Sequence, residues 1–233
     1  MASRTADIRA RGLGLRTTTG WVYRDIDLIA PQGALVAVTG PSGSGKTALL
    51  LTFAGRMRAT DGSLTVGGVD ARLSPAAVRR LAGLGEFSGL NDLDESLNVG
   101  DQIRAELSIH GLRWRGARLS DALSLSGIDL DLRTTVRDLP AVERTLLGVA
   151  LALIGKPAMV VVDELHEGLT PDERDIVWRH LRTLADGGMT VIGGSLDPGL
   201  ATLADEALAL PRASSESQTE PATAPQEITH ALS

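Results

Sequence analysis

The spacing of apolar positions changes along the chain, and each change marks an element. Val22-Tyr23-Arg24-Asp25-Ile26-Asp27-Leu28 alternates with period two, so the N-terminal stretch to Ile29 reads as β-strands. Pro31-Gln32-Gly33 is a turn, and Leu35-Val36-Ala37-Val38 is a short buried strand. A glycine-rich loop follows, and Ala48 to Met57 is apolar enough for a buried helix. Asp61-Gly62 reads as a hairpin turn before the strand Ser63-Leu64-Thr65-Val66, and Gly67-Gly68 as another turn. Ser74-Pro75 has the cap and first-turn chemistry of a short helix running to about Leu81.

From about Ser88 to Ala152 the pattern turns mostly helical. Val99, Ile103 and Leu107 fall on one helix stripe, and Ser120 caps a short helix ending at Gly127. Met159-Val160-Val161-Val162 and Met189-Thr190-Val191-Ile192 are two further buried strands. Between them Thr170-Pro171-Asp172-Glu173 is a capping box with proline at the first helical position. Its helix should bury Ile176, Val177, His180, Leu181 and Leu184 and stop at Gly187-Gly188. Strands alternating with helices indicate an α/β domain, to which a β-rich N-terminal part and a helical insertion near 88–150 are added. After Pro211 the composition shifts to Ser, Thr, Glu, Gln and Pro, so residues 212–233 are expected to be a disordered tail.

Composition narrows the function classes. The net charge of −6, from 23 basic and 29 acidic residues, argues against a general nucleic-acid binder. The longest nearly unbroken apolar run, Leu146 to Ile154, is far short of the ~20 residues a membrane span needs. Met1 to Arg16 mixes charge throughout and lacks the apolar core of a signal peptide. With no cysteine, disulfides and thiolate metal sites are excluded. Lys46 and Lys156 are the only lysines among the 23 basic residues, so a lysine at a motif position stands out.

Gly40-Pro41-Ser42-Gly43-Ser44-Gly45-Lys46-Thr47 matches G-x-x-x-x-G-K-[ST], with a buried strand before it and an apolar helix after. Its glycines let successive backbone N–H groups turn inward around an anion, and the helix N-terminus adds positive potential. Lys46 should reach the β- and γ-phosphates of a nucleotide, and the Thr47 hydroxyl should ligate Mg²⁺. Asp163-Glu164 ends the strand 159–162 in two carboxylates. Asp163 can hold Mg²⁺ through water, and Glu164 can act as general base toward an attacking water. The histidines show no metal-ligand spacing. Arg113-Trp114-Arg115 reads as a solvated corner of the helical part, and Leu119 to Leu125 fits either a core or a partner helix.

With both motifs in hand, the chain over about residues 6–210 resembles the ATP-binding cassette (ABC) family. The separation of Lys46 from Asp163 leaves room for the helical subdomain that this family inserts there. Leu93 to Ile103 is similar to the family's L-T-V-x-E-N stretch, Gly155-Lys156-Pro157 to its G-x-P turn, and Gly168-Leu169 to the start of its D-loop. Other family elements are altered. The signature L-S-G-G-E-Q falls on Leu139-Pro140-Ala141-Val142-Glu143-Arg144, where Pro140 also suits the first turn of a helix. The Q-loop glutamine falls on Glu86, which could still ligate Mg²⁺. The D-loop aspartate falls on Thr170, a helix cap, and the switch-loop histidine on Ser195, whose hydroxyl can bond a γ-phosphate but cannot act as an imidazole. The base-stacking aromatic would fall near Arg16 or Thr17; Trp21 and Tyr23, a few residues on, read as strand residues.

The resemblance implies a P-loop NTPase core with an N-terminal antiparallel β subdomain and an inserted helical subdomain, within a domain of residues 1–211. It implies a cassette using ATP and Mg²⁺, binding through Gly40, Pro41, Ser42, Gly43, Ser44, Gly45, Lys46, Thr47 and Ser195. Glu164 and Lys46 would be its catalytic residues, and Thr47, Asp163 and Glu86 its metal ligands. Its partners would be a separate transmembrane permease, docked near Glu86 and residues 88–115, and a second nucleotide-binding domain. It would act in the cytoplasm at the inner face of the membrane, with no nucleic acid involved. The alternatives are a non-transport cassette protein acting as an ATP-dependent scaffold with little hydrolysis and, more remotely, a P-loop kinase.

Overall fold

The structure, a computed structural model, describes residues 6–112, 129–165 and 168–212. The helix expected at 120–127, the Arg113-Trp114-Arg115 corner, His166 and the expected tail from residue 213 onward lie outside the described residues.

The described residues form two sheets. The first is antiparallel with order β2-β1-β4-β5, formed by β1 (Ile8–Thr17), β2 (Gly20–Ala30), β4 (Asp61–Val66) and β5 (Val69–Asp70). The second is parallel with order β6-β7-β8-β3-β9, formed by β3 (Leu35–Thr39), β6 (Ala82–Leu84), β7 (Met159–Val162), β8 (Thr190–Ser195) and β9 (Glu206–Ala209). The helices are α1 (Lys46–Phe53), α2 (Pro75–Leu81), α3 (Val99–Ile109), α4 (Ala141–Leu153) and α5 (Pro171–Asp186). This is the expected α/β architecture with an antiparallel N-terminal sheet.

The continuous apolar runs of the parallel sheet have a physical cause, since both of its faces are covered. Leu35, Ala37, Val160, Val162 and Val191 face a core closed by Leu146 and Leu147 of α4 and Val177, Trp178 and Leu181 of α5. Val36, Val38, Met159, Val161 and Ile192 face the opposite core, closed by Leu49, Leu50 and Phe53 of α1 and by the antiparallel sheet. Helix α5 starts on the capping box read from sequence: the Glu173 N–H donates to Thr170 Oγ1, and the Thr170 N–H donates to Glu173 Oε2 at 2.8 Å.

Several elements differ from expectation. Asp61-Gly62 is not a hairpin turn but the start of β4, pairing with β1, and the hairpin turns instead at Gly67-Gly68. A side chain at Gly62 would collide with the backbone of Gly12, so this glycine serves a close strand approach. Helix α1 ends at Phe53 rather than Met57. Residues 88–98 are loop, and regular helix begins at Val99 on an Asn98 cap. In α5 the buried face is rotated: Trp178 is almost fully enclosed, whereas Ile176 and His180 are half-buried. Trp178 can sit there because Gly193 in β8 has no side chain; a Cβ at Gly193 would stand 2.6 Å from the indole.

Candidate functional site

The phosphate loop runs from the end of β3 into α1, as its sequence requires. Gly40, Gly43 and Gly45 all have positive φ, the backbone state that turns N–H groups inward and that side chains disfavour. Gly45 carries a further constraint, because a side chain there would collide with the carbonyl oxygen of Val22 on β2. The antiparallel sheet therefore abuts the loop directly. Lys46 Nζ donates to the carbonyls of Gly40 at 2.8 Å and Pro41 at 3.0 Å, which holds the ammonium over the loop. Burial pushes the Lys46 pKa below the ordinary lysine range, while the nearby Asp163 and Glu164 carboxylates pull the other way. Ser44 Oγ is buried and has no hydrogen-bond partner among the described residues, an orphaned hydroxyl inside the glycine-rich loop.

The second motif meets the first. Strand β7 delivers Asp163 to the start of α1, where Thr47 Oγ1 donates to Asp163 Oδ2 at 2.5 Å. The other Asp163 oxygen accepts the Glu164 N–H at 2.8 Å, and Glu164 itself takes a positive φ of 54°. Asp163 reaches this place because Gly194 in β8 leaves room; a side chain at Gly194 would strike Asp163 Oδ1. A hydroxyl and a carboxylate held together are hard oxygen donors, the set a Mg²⁺ ion takes alongside substrate phosphates. Among the described residues no group of three or more His, Cys, Asp or Glu could hold a metal ion alone. Thr47 and Asp163 thus fit an ion that also draws on phosphate oxygens.

Two other expected residues are placed differently. Ser195 is 1% exposed, and its Oγ accepts the Asp197 N–H at 3.1 Å, so the hydroxyl holds the loop after β8. Asp197 in turn caps the turn starting at Pro198 and receives Arg174 of α5 at 2.9 Å. Glu86 lies just beyond β6, but its carboxylate is bound by Arg144 of α4 at 2.9 Å rather than joined to Thr47 and Asp163. Glu86 and Arg144 nevertheless line a cavity of about 360 Å³ together with Asp163 and Glu164. Sequence reasoning named Arg144 only as a signature position, and a pairing 58 residues apart leaves no local pattern to find.

The start of α4 carries the altered signature. Pro140 precedes the helix without a side-chain cap, Ala141 and Val142 follow, and Glu143 puts a carboxylate in the first turn. This helix start offers neither a side-chain hydroxyl nor a glycine backbone at positions 140–142. On the antiparallel sheet, Arg16 lies 5.5 Å over the Trp21 ring, which sits beside Gly14, while the next residue, Val22, approaches Gly45. Tyr23 is buried, its hydroxyl 2.6 Å from Thr52 Oγ1 and its pKa pushed up to about 12 by that burial.

Known proteins match this chain in sequence and in fold. The family profile described as "ABC transporter" matches residues 23–167. The daunorubicin resistance ATP-binding protein DrrA3 of Streptomyces coeruleorubidus is 34% identical over 170 residues, 72% of this chain and 53% of that protein. The Nod factor export ATP-binding protein I of Cupriavidus pinatubonensis is 30% identical over 175 residues, covering 73% of this chain and 53% of that one. The chain thus spans about half the length of these curated relatives. Among solved structures, cbiO1 of Clostridium perfringens, part of the ABC transporter complex cbiONQ, superposes with a TM-score of 0.75 at 19% identity, over 88% of this chain and 85% of that one. A dimeric ATP-binding cassette bound to ADP and Pi superposes with a TM-score of 0.70 at 18% identity, over 87% of this chain and 94% of that one.

Proposed function

The chain belongs to the ABC transporter family, and we propose that it is an ATP-binding subunit that serves a separate transmembrane permease and hydrolyses ATP slowly by itself. The observation that carries this reading is the meeting of the two motifs, with Lys46 over the loop and Thr47 hydrogen-bonded to Asp163 beside Glu164. In this site the loop N–H groups of residues 40–47 bind the β- and γ-phosphates, and Lys46 adds a charge-assisted contact. Thr47 and Asp163 would hold Mg²⁺, which when bound would supply positive charge against the phosphate oxygens. Glu164 takes the proton from the water that attacks the γ-phosphorus as the bond to the leaving ADP oxygen breaks.

Two features slow this chemistry in the isolated chain. Ser195 supplies no imidazole, and the helix start Pro140-Ala141-Val142-Glu143 offers a second copy neither the hydroxyl nor the glycine backbone that the family signature uses. A partner cassette with an intact signature would complete the site built on residues 40–47. Among the described residues no helix is long and apolar enough to cross a membrane, so transport on this reading falls to the permease. The subunit then works in the cytoplasm, at the inner face of the membrane. The same altered signature also favours the second reading, a cassette protein that binds ATP as a scaffold without transport. Purification of the tagged chain from detergent-solubilised membranes separates the two. Transport predicts a co-purifying multi-span permease, and a chain recovered wholly from the soluble fraction contradicts it.

Base selectivity is expected to be modest. Arg16 lying on Trp21 offers a flat cation that stacks with either purine, whereas strong discrimination requires buried base-specific hydrogen bonds worth ~10⁴-fold. Displacement of a fluorescent ATP analogue should therefore give ATP and GTP affinities within about tenfold. A much larger preference for ATP would show that another group reads the base.

A further inference from the structure

We propose that Arg144 is a positioning residue of the nucleotide site, whose guanidinium, forked between Glu86 and Glu95, holds the Glu86 carboxylate away from the divalent cation at Thr47 and Asp163. The inference rests on the reading above, that Mg-nucleotide binds at residues 40–47.

The fork is specific in its geometry. Arg144 Nη2 lies 2.9 Å from Glu86 Oε1, and Nη1 lies 2.7 Å from Glu95 Oε1. One guanidinium thus ties the first turns of α4 to two points of the loop between β6 and α3. Arg144 and Glu86 are mostly buried, at 29% and 24% side-chain exposure, so solvent screens this pair less than a surface pair. The backbone on both sides is close. Gly148, one turn further along α4, would place a Cβ 3.2 Å from the Glu86 N, so the helix presses against Glu86 where its side chain turns toward Arg144. The hydrogen bonds to Glu86 and Glu95 raise the Arg144 pKa above a value at which the guanidinium is already charged.

The cavity gives this fork a consequence. Glu86, Glu95 and Arg144 line it together with Asp163 and Glu164, so the Glu86 carboxylate opens onto the same space as the motif acids. A carboxylate facing that space without a partner is a hard ligand for a divalent cation and adds to the negative potential around it. Arg144 at 2.9 Å, beside a longer bond from the Leu93 N–H at 3.4 Å, satisfies that carboxylate instead. Lysine would not replace it fully, because a single ammonium keeps the charge but gives up the planar fork that spans two carboxylates.

Mn²⁺ is the probe. Free Mn²⁺ is followed by its electron paramagnetic resonance signal while the full chain is titrated in the presence of saturating AMP-PNP. Arg144→Gln is expected to bind Mn²⁺ at least about threefold more tightly than the unaltered chain. Arg144→Lys should fall between the two, and the pair Arg144→Gln with Glu86→Gln should return to the starting affinity. Arg144→Lys matching the unaltered chain while Arg144→Gln tightens would overturn the positioning role, because charge at a distance would then suffice. Unchanged affinity in both single variants overturns it equally. If the unaltered chain shows no nucleotide-dependent Mn²⁺ binding at all, the reading of the loop as a Mg-nucleotide site fails first, and the inference falls with it.

Discussion

Replacing Lys46 with alanine is expected to weaken Mg-ATP binding by about a hundredfold or more, the loss of charge-assisted contacts to two phosphates. Stability should hardly change. The ammonium is buried, and the desolvation that lowers its pKa opposes the stabilisation from its bonds to the Gly40 and Pro41 carbonyls. Calorimetric titration of both proteins, alongside thermal unfolding, separates a lost ligand contact from a lost fold. ATP affinity equal in the two would remove the phosphate loop from the account.

The second large effect is structural and reaches the site through the core. Trp178 is buried between α5 and β8 against Gly193 and Leu165. Truncating a buried aromatic to alanine costs ~3–5 kcal/mol, which in a domain of this size lowers Tm by roughly 6–20 °C. The indole N–H has no partner among the described residues, so no hydrogen bond is lost with it. Because Trp178 packs on Gly193, next to the Gly194 that makes room for Asp163, Trp178→Ala should also weaken Mg²⁺-dependent nucleotide binding. Trp178→Phe, which keeps most of the volume, should restore much of both. Differential scanning calorimetry checks the first effect, and a Tm within 2–3 °C of the unaltered chain would show that the core closes around the lost ring.

What could be read from sequence was local, and what could not was distant. The phosphate loop is eight contiguous residues whose glycines and lysine explain one another, so its position at the end of β3 followed directly. Asp163 and Glu164 were legible because a fully apolar strand ends on them, and the Thr170 capping box because its bonds span three residues. Strands β6 and β9 were missed, being three and four residues long and too short for a period to declare itself. Asp61-Gly62 has the composition of a turn, but the need there was for backbone contact with Gly12, which depends on a strand some fifty residues earlier. The reading of Ser195 as a phosphate contact came from its position along the chain; only the fold shows its hydroxyl bonded to the loop after β8. Glu86 likewise was found by its neighbours in sequence, while its role depends on Arg144 across the cavity.

The measurement that bears most directly on the account is steady-state ATP hydrolysis by the purified chain alone, with Glu164→Gln as control. An ordinary enzyme turns over at ~10 s⁻¹, and losing a positioned catalytic group costs ~10²-fold, so the account predicts about 0.1 s⁻¹ or less, reduced further by Glu164→Gln. Turnover of ~10 s⁻¹ by the chain alone, abolished by Glu164→Gln, would contradict it, since Ser195 and the Pro140-Ala141-Val142 helix start would then impose no brake.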